Sequence, residues 1–144
     1  MTQPKALAAI LASPLTSLLS RILATCLFWS EFLNHMHDLP GLHAYVVGLG
    51  MRPAWLVMGL SLFVQVVGSA LVIADRMAWL GAGALGVFTL LTVPLAHHFW
   101  DMTGPMAVVE RLFSEEHLSV IGGLMAVCVA SQARRDGRPV SPST

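Results

Sequence analysis

The sequence predicts an all-α integral membrane protein, folded as a four-helix bundle with both termini in the cytoplasm. Of its 144 residues, 56% are hydrophobic and only 11% are charged. Soluble domains carry about 25% charged residues, so a soluble fold of this length would leave much of its apolar surface in water. The long apolar segments and the uneven distribution of Lys and Arg between the loops are the second and third observations.

Four apolar segments account for the predicted bundle. A membrane-spanning helix needs roughly 20 mostly apolar residues. We expect such helices at about residues 17–35, 54–74, 77–100 and 117–132, with the fourth short unless it begins in the headgroup layer. Together they form one domain over residues 1–133. Residues 134–144 contain arginine, glycine and proline and little to bury, which predicts a flexible cytoplasmic tail.

The basic residues predict the orientation. Six of the eight Lys and Arg residues fall in the N-terminus, the second loop and the C-terminus, and these regions are therefore expected in the cytoplasm. Arg21 lies near the start of the first helix, where its long side chain can reach the headgroups as an interface anchor. The six residues are Lys5, Arg21, Arg76, Arg134, Arg135 and Arg138.

Every histidine falls on the opposite, periplasmic side in this topology. Glu31 and His35 are four residues apart, as are His97 and Asp101, so each pair shares a helix face if its helix continues that far. A carboxylate bonded to one imidazole nitrogen makes the other a better base or ligand. We define the histidine rim as Glu31, His35, His97, His98 and Asp101.

Three interpretations of this rim remain open. Its members can pair with one another and with water, which is the leading interpretation because no established metal or redox motif is present. They can bind a quinone carbonyl and pass its protons outward. They can also bind zinc, copper or iron through nitrogen and oxygen, which the sequence favours less than a quinone.

Small residues and one mid-span amide predict helix packing. Ala78, Ala82 and Gly86 recur every fourth residue in the third predicted helix. Such stripes let helix backbones approach closely, and we expect contacts within one bundle in preference to contacts with a partner subunit. Gln65, in the middle of the second helix, is expected to form an interhelical hydrogen bond rather than a ligand contact. The fourth helix carries the second stripe, Gly122, Ala126 and Ala130.

The order and spacing of residues over about 21–125 resemble the DoxX-like family of small four-helix bacterial membrane proteins. The most distinctive piece is His97–Trp100, which ends the third predicted helix. The chain departs from the family where Glu31 follows Ser30 and where Gln65 replaces a frequent glutamate. Further matching residues are Arg21, Leu27, Phe28, Ala44, Tyr45, Gly50, Pro53, Gly68, Leu71, Asp75, Arg76, Leu118, Gly122, Gly123 and Leu124.

The resemblance implies a membrane redox setting, and two functions follow as expectations. The first is an accessory, structural subunit of a larger electron-transfer complex in the bacterial inner membrane, without catalytic activity alone. The alternative is a quinone- or metal-binding oxidoreductase component that uses the histidine rim. The expected partners are the lipid bilayer and other membrane subunits. Nucleic acid is excluded because the net charge is zero and the basic residues are few and scattered.

Overall fold

A computed structural model describes residues 4–137, and within that range all regular structure is helical. The all-α prediction is confirmed, but the described residues form seven α-helices and one short 3-10 helix rather than four helices. The helices are α1 (Lys5–Leu11), α2 (Pro14–Ala24), α3 (Cys26–His37), α4 (Leu39–Gly48), α5 (Ala54–Ile73), α6 (Ala78–Ala96) and α7 (Pro105–Arg135), and Phe99–Asp101 forms the 3-10 helix.

Within residues 4–137, three segments are long and apolar enough to cross a membrane. They are Ala54–Ile73, Ala78–Asp101 and Pro105–Arg135. The pair α1 and α2, bent by 56° at its break, makes a fourth if it counts as one span. The chain is therefore a membrane protein by length and composition, with three or four spanning segments.

The segment expected as the first spanning helix, residues 17–35, is divided at Thr25. Thr25 is fully buried and leaves the helical conformation, with φ −106° and ψ 3°. Its hydroxyl donates to the carbonyl oxygens of Arg21 at 2.8 Å and Ile22 at 3.2 Å. Because threonine can bond the preceding turn, it competes with the regular backbone ladder and favours a break here.

The hairpin of α5 and α6 is the centre of the bundle. Asp75 and Met77 adopt positive φ values of 56° and 52° in its tight turn. Above the turn the backbones of α5 and α6 approach closely. A Cβ on Gly81 would lie 2.6 Å from the carbonyl oxygen of Gly68, so only glycine fits at position 81 without a shift. The close contact that sequence analysis assigned to small residues therefore depends on this glycine pair as well as on buried Ala78 and Ala82.

Two of the three residues in the small-residue stripe of α7 face away from the bundle. Gly122 and Ala126 are exposed, and a Cβ on Gly122 would meet no atom within 4 Å. The buried residues of α7 are Ser114, Leu124 and Ser131, which lie on another face of the helix. Gly122 and Ala126 therefore lie outside the contacts that were expected between this stripe and its own bundle, whereas Ala130 is half-buried.

Both ends of the loop between α6 and α7 differ from the expected bounds. Helix α6 stops at Ala96, two residues after Pro94, which lacks an N–H group and crowds the carbonyl of the preceding turn. Helix α7 starts at Pro105, directly after Gly104 with φ 78°, well before the predicted residue 117. It also includes Arg134 and Arg135, which were expected in the tail; residues 138–144 of that tail lie outside the described range.

Candidate functional site

A cavity of about 670 Å³ lies between helices α3, α4, α5, α6 and α7. Its wall is mostly leucine, valine, phenylalanine and methionine, with a small number of polar side chains. This composition is typical of a site for an amphiphilic small molecule. The polar residues that line it are Glu31, His35, Tyr45, Ser61, Gln65, Thr89, Thr92, His97, Glu116 and His117.

His97 and α7 form the polar cluster at one end of the cavity. The Nδ1 atom of His97 lies 2.7 Å from Oε2 of Glu110, and both side chains are 18% exposed. The ring of His117 lies edge-on to that of His97, with 4.7 Å between the ring centres. The hydroxyl of Ser114 donates to the backbone oxygen of His97 at 3.3 Å. These contacts fix His97 against α7 where α6 ends.

The predicted pairing of His97 with Asp101 is wrong. The helical spacing requires α6 to continue through Asp101, but His97 has φ −116° and ψ 50° and ends the helix. Glu110 takes the expected place of the carboxylate instead. Asp101 is exposed, and His98 contacts Trp100 edge-on; neither residue lines the cavity.

The other predicted pair is present at the cavity. Helix α3 continues to His37, so Glu31 and His35 share one face, and their closest oxygen–nitrogen distance is 3.8 Å. This is a loose ion pair rather than a hydrogen bond. Both residues line the same cavity as His97. The cavity therefore brings together Glu31, His35 and His97, and leaves out the other two members of the histidine rim.

Gln65 lies on α5 and faces this cavity instead of joining two helices. The residue is 6% exposed, and its Oε1 atom is buried without a hydrogen-bond partner among the described residues. An unpartnered buried acceptor costs about 1–3 kcal/mol in desolvation. The expected interhelical hydrogen bond of this oxygen is absent from the described part of the chain.

Tyr45, on α4, contributes the only phenol of the chain to the cavity wall. Tyr45 is 52% exposed, and the partial burial of its hydroxyl raises the pKa above the usual value; the negative charge of Glu110 raises it further. The phenol therefore stays protonated at neutral pH. The sequence pattern does not indicate Tyr45 as a site residue, because Tyr45 falls between the predicted helices 17–35 and 54–74.

A second polar cluster closes the opposite end of the bundle, at the turn between α5 and α6. The Asp75 carboxylate accepts a hydrogen bond from the Ser131 hydroxyl and lies 3.4 Å from both the Arg21 and Arg134 guanidinium groups. Arg135 lies 3.6 Å from the same carboxylate. Arg21 is only 11% exposed, so it is engaged inside the protein rather than extended as the predicted interface anchor.

These contacts determine the ionisation of Asp75. Burial opposes ionisation, but the Ser131 hydrogen bond and the charges of Arg21 and Arg134 outweigh it, so the pKa of Asp75 is lowered. The carboxylate is therefore charged at neutral pH and holds α2 and α7 to the hairpin turn. Asp75 stands out in the sequence only as one of the residues that match the family, because residues 21, 75 and 131 are far apart in the chain.

Two further observations concern other kinds of ligand. Among residues 4–137, no three His, Cys, Asp or Glu side chains are grouped so that they could hold a metal ion. A second hollow of about 500 Å³ lies along α5 and α6. Its wall consists of large apolar side chains, one glycine and one alanine, and contains no charged group. Of these two spaces, only the cavity of about 670 Å³ is lined by charged or titratable side chains, and it extends from Gln65 to His97 and His117.

The chain is thus a small helical membrane protein, and its helices enclose an apolar cavity with a histidine–carboxylate pair at one end. The family model named DoxX matches residues 16–98, which is more than half of the chain. The chain belongs to the DoxX family, as its resemblance implied. No curated protein and no solved structure matches the chain.

Proposed function

We propose that this protein is the quinone-binding component of a membrane redox system, with the ligand held in the cavity between Gln65 and His97. The observation that carries the proposal is the cavity itself. Its volume of about 670 Å³ falls within the range of small-molecule sites, roughly 300–1,000 Å³. An apolar wall with polar groups at its ends suits a ring that bears two oxygens and an apolar tail.

The side chains present fit such a ligand. A bound quinone supplies two-electron, two-proton redox chemistry. His97 lies 2.7 Å from Glu110, and the His117 ring adjoins it, so these residues can hold a proton and exchange it with one another. Glu31 and His35 provide a second carboxylate–imidazole pair on the same cavity. The electrons are exchanged with a partner protein of the redox system.

The proposed setting is the bacterial inner membrane with both termini in the cytoplasm. The distribution of Lys and Arg supports this orientation. Arg21, Arg134 and Arg135 meet at Asp75, at the end of α6 opposite to His97. In this orientation the His97 cluster lies on the periplasmic side, and protons from the ligand are released there.

An accessory, structural subunit is the second candidate, and the exposed stripe of α7 favours it. Gly122 and Ala126 are exposed, and a Cβ on Gly122 would meet no atom within 4 Å. Small residues at this spacing allow a second helix to approach closely. A partner helix could occupy this face. The two functions are compatible, because a quinone-binding component also needs a partner that exchanges electrons.

The proposed function is tested by purification from native membranes in mild detergent, followed by solvent extraction and chromatography of bound quinone. We expect quinone to co-purify, and we expect His97→Ala to reduce its amount because the imidazole borders the cavity. His43→Ala is the matched control, since His43 is exposed on α4 and does not line the cavity. A well-folded protein that contains no quinone and binds none when it is added would contradict the proposal.

The same preparation tests the second candidate through the proteins that co-purify. Gly122→Leu fills the exposed stripe, whereas Gly59→Leu adds the same side chain at another glycine with no neighbour within 4 Å. A structural subunit predicts that only the first change reduces the recovery of stoichiometric partners. Equal recovery with both variants would leave the α7 stripe as lipid-facing surface.

A further inference from the structure

The hydrogen-bonding state of His117 is determined by its backbone contact. Its Nδ1 atom lies 2.7 Å from the carbonyl oxygen of Phe113, one turn earlier in α7. A carbonyl oxygen only accepts, so Nδ1 must carry the hydrogen. In the neutral ring the Nε2 atom then has a free lone pair and acts as an acceptor at the cavity.

The contact with Glu110 determines in the same way which ring nitrogen of His97 carries the hydrogen. With Oε2 of Glu110 as the acceptor, the 2.7 Å contact places the hydrogen on Nδ1 of His97. The Nε2 atom of the neutral ring is again an acceptor. Two imidazoles on one cavity therefore both offer lone pairs, because a backbone carbonyl and a carboxylate behind them occupy their N–H groups.

The remaining polar groups add mostly acceptors. The hydroxyl of Thr89 donates to the carbonyl oxygen of Leu85 at 2.7 Å, and that of Thr92 donates to the carbonyl oxygen of Thr89 at 2.8 Å. Both hydroxyl hydrogens are thus used inside α6. The carboxylates of Glu31 and Glu116 also line the cavity.

Gln65 gives an independent indication that a donor is required. Its Oε1 atom is buried without a partner, and the residue lines the same cavity. A hydroxyl group of a ligand would supply the missing donor. The donors that remain on the protein side are the amide nitrogen of Gln65, the hydroxyls of Tyr45 and Ser61 and a ring N–H of His35, and they are outnumbered by acceptors.

We propose that the cavity selects the reduced, hydroxyl-bearing form of its ligand, an alkylated aromatic quinol, and that Gln65 accepts a hydrogen bond from one of its hydroxyls. This inference rests on the proposed function and adds a preference between the two redox forms. The oxygens of a quinone are acceptors only and find mainly lone pairs in this cavity, whereas both hydroxyls of a quinol can donate. A site that leaves buried polar groups unpaired with one form discriminates strongly against that form.

The preference is measured with three probes on the purified full-length protein under argon. The probes are a decyl-substituted benzoquinol, the corresponding benzoquinone, and the dimethyl ether of the quinol, which keeps the ring but has no hydroxyl hydrogen. Isothermal titration gives the dissociation constants. We expect the quinol to bind at least about fivefold more tightly than either of the others, the factor that one hydrogen bond contributes.

The variant Gln65→Leu tests the residue. It is close in volume and removes the unpartnered oxygen, so the quinol preference should fall about fivefold while the stability of the unliganded protein does not decrease. Gln132→Leu is the matched control, because Gln132 lies at the exposed C-terminal end of α7 and bonds to Asp136. This control should keep the full preference.

The outcomes separate the two levels of the proposal. Equal binding of quinol and quinone, or a preference that Gln65→Leu leaves unchanged, overturns this inference and leaves the proposed function standing. If Gln65→Leu is less stable than the wild type but keeps the same preference for quinol, the amide has a structural role and this inference is overturned. Failure of all three probes to bind the folded wild-type protein overturns the proposed function as well.

Discussion

The cluster around Asp75 is the sharpest place to test how this small bundle is held together. The substitution Asp75→Asn keeps the size of the side chain and an oxygen that can still accept from Ser131. It removes the charge that faces Arg21, Arg134 and Arg135. The expected result is a loss of unfolding free energy without loss of the helices themselves.

The magnitude follows from the exposure of each arginine. Arg134 and Arg135 are 37% and 46% exposed, and surface ion pairs of this kind contribute about 0.2–1 kcal/mol each. Arg21 is 11% exposed, and removing the partner of a fully buried charge costs about 3–5 kcal/mol. Because Asp75 itself is 27% exposed and water reaches the pair, we expect about 2–4 kcal/mol in total.

The assay is reversible unfolding in mixed micelles, followed by circular dichroism, with Asp136→Asn as the matched control. Asp136 is an exposed carboxylate whose side-chain partner is Gln132, so its loss should cost less than about 0.5 kcal/mol. If Asp75→Asn is no less stable than this control, the assignment of Asp75 as a structural clamp is wrong.

The pH dependence gives a second readout with a defined sign. The pKa of Asp75 is lowered in the folded protein. Its contribution is therefore fully present above the unfolded pKa, about 3.9, and is lost as the pH falls through the lower folded value. The stability difference between wild type and Asp75→Asn should shrink below about pH 4. A difference that stays constant into that range would refute the reasoning.

Two further results are expected. Gly81→Ala should lower the unfolding free energy by about 1–3 kcal/mol, because its Cβ would lie 2.6 Å from the backbone oxygen of Gly68. Gly83→Ala is the control and should not lower it, because a Cβ on Gly83 would meet no atom within 4 Å. Equal effects of the two variants in the same unfolding assay would contradict the close contact between α5 and α6. Ultraviolet titration should show Tyr45, the only tyrosine, ionising above its usual pKa of about 10, and Glu110→Gln should bring that pKa closer to normal. If the titration midpoint of Tyr45 is the same in Glu110→Gln as in the wild type, the charge of Glu110 does not act on Tyr45.

The sequence predicts the helical class and the centre of the bundle because apolar length alone determines them. The expected second helix, residues 54–74, agrees closely with Ala54–Ile73. Element ends depend on local chemistry that hydropathy does not contain. Gly104 followed by Pro105 is a recognisable start signal for α7, since proline favours the first helical position. Asp38, whose side chain accepts from the Gly41 backbone, is a similar signal for α4.

The candidate site is predicted only in part because its geometry depends on where helices stop. Spacing within one helix correctly places Glu31 and His35 together. The same rule fails for His97, because α6 ends before the next turn and a glutamate of α7 replaces Asp101. The partner of a residue across two helices follows from packing, and no pattern within one segment contains it. The unpartnered oxygen of Gln65 is likewise visible only after the helices are assembled.

The position of the cavity follows from the way the bundle is filled. One apolar cluster joins Phe28, Val72, Leu85 and Leu124 toward the Asp75 end, and a separate cluster packs α4 on the start of α5. The cavity is bordered by Phe28 from the first cluster and by residues of α4 from the second, so it lies between the two clusters. Helix α7 contacts Asp75 through Ser131 and His97 through Glu110. Along the helix, Glu110 and Ser131 are about 32 Å apart at 1.5 Å of rise per residue. Polar contacts at both ends thus fix α7 in place, and the space beside Gln65 stays open without requiring apolar side chains to fill it.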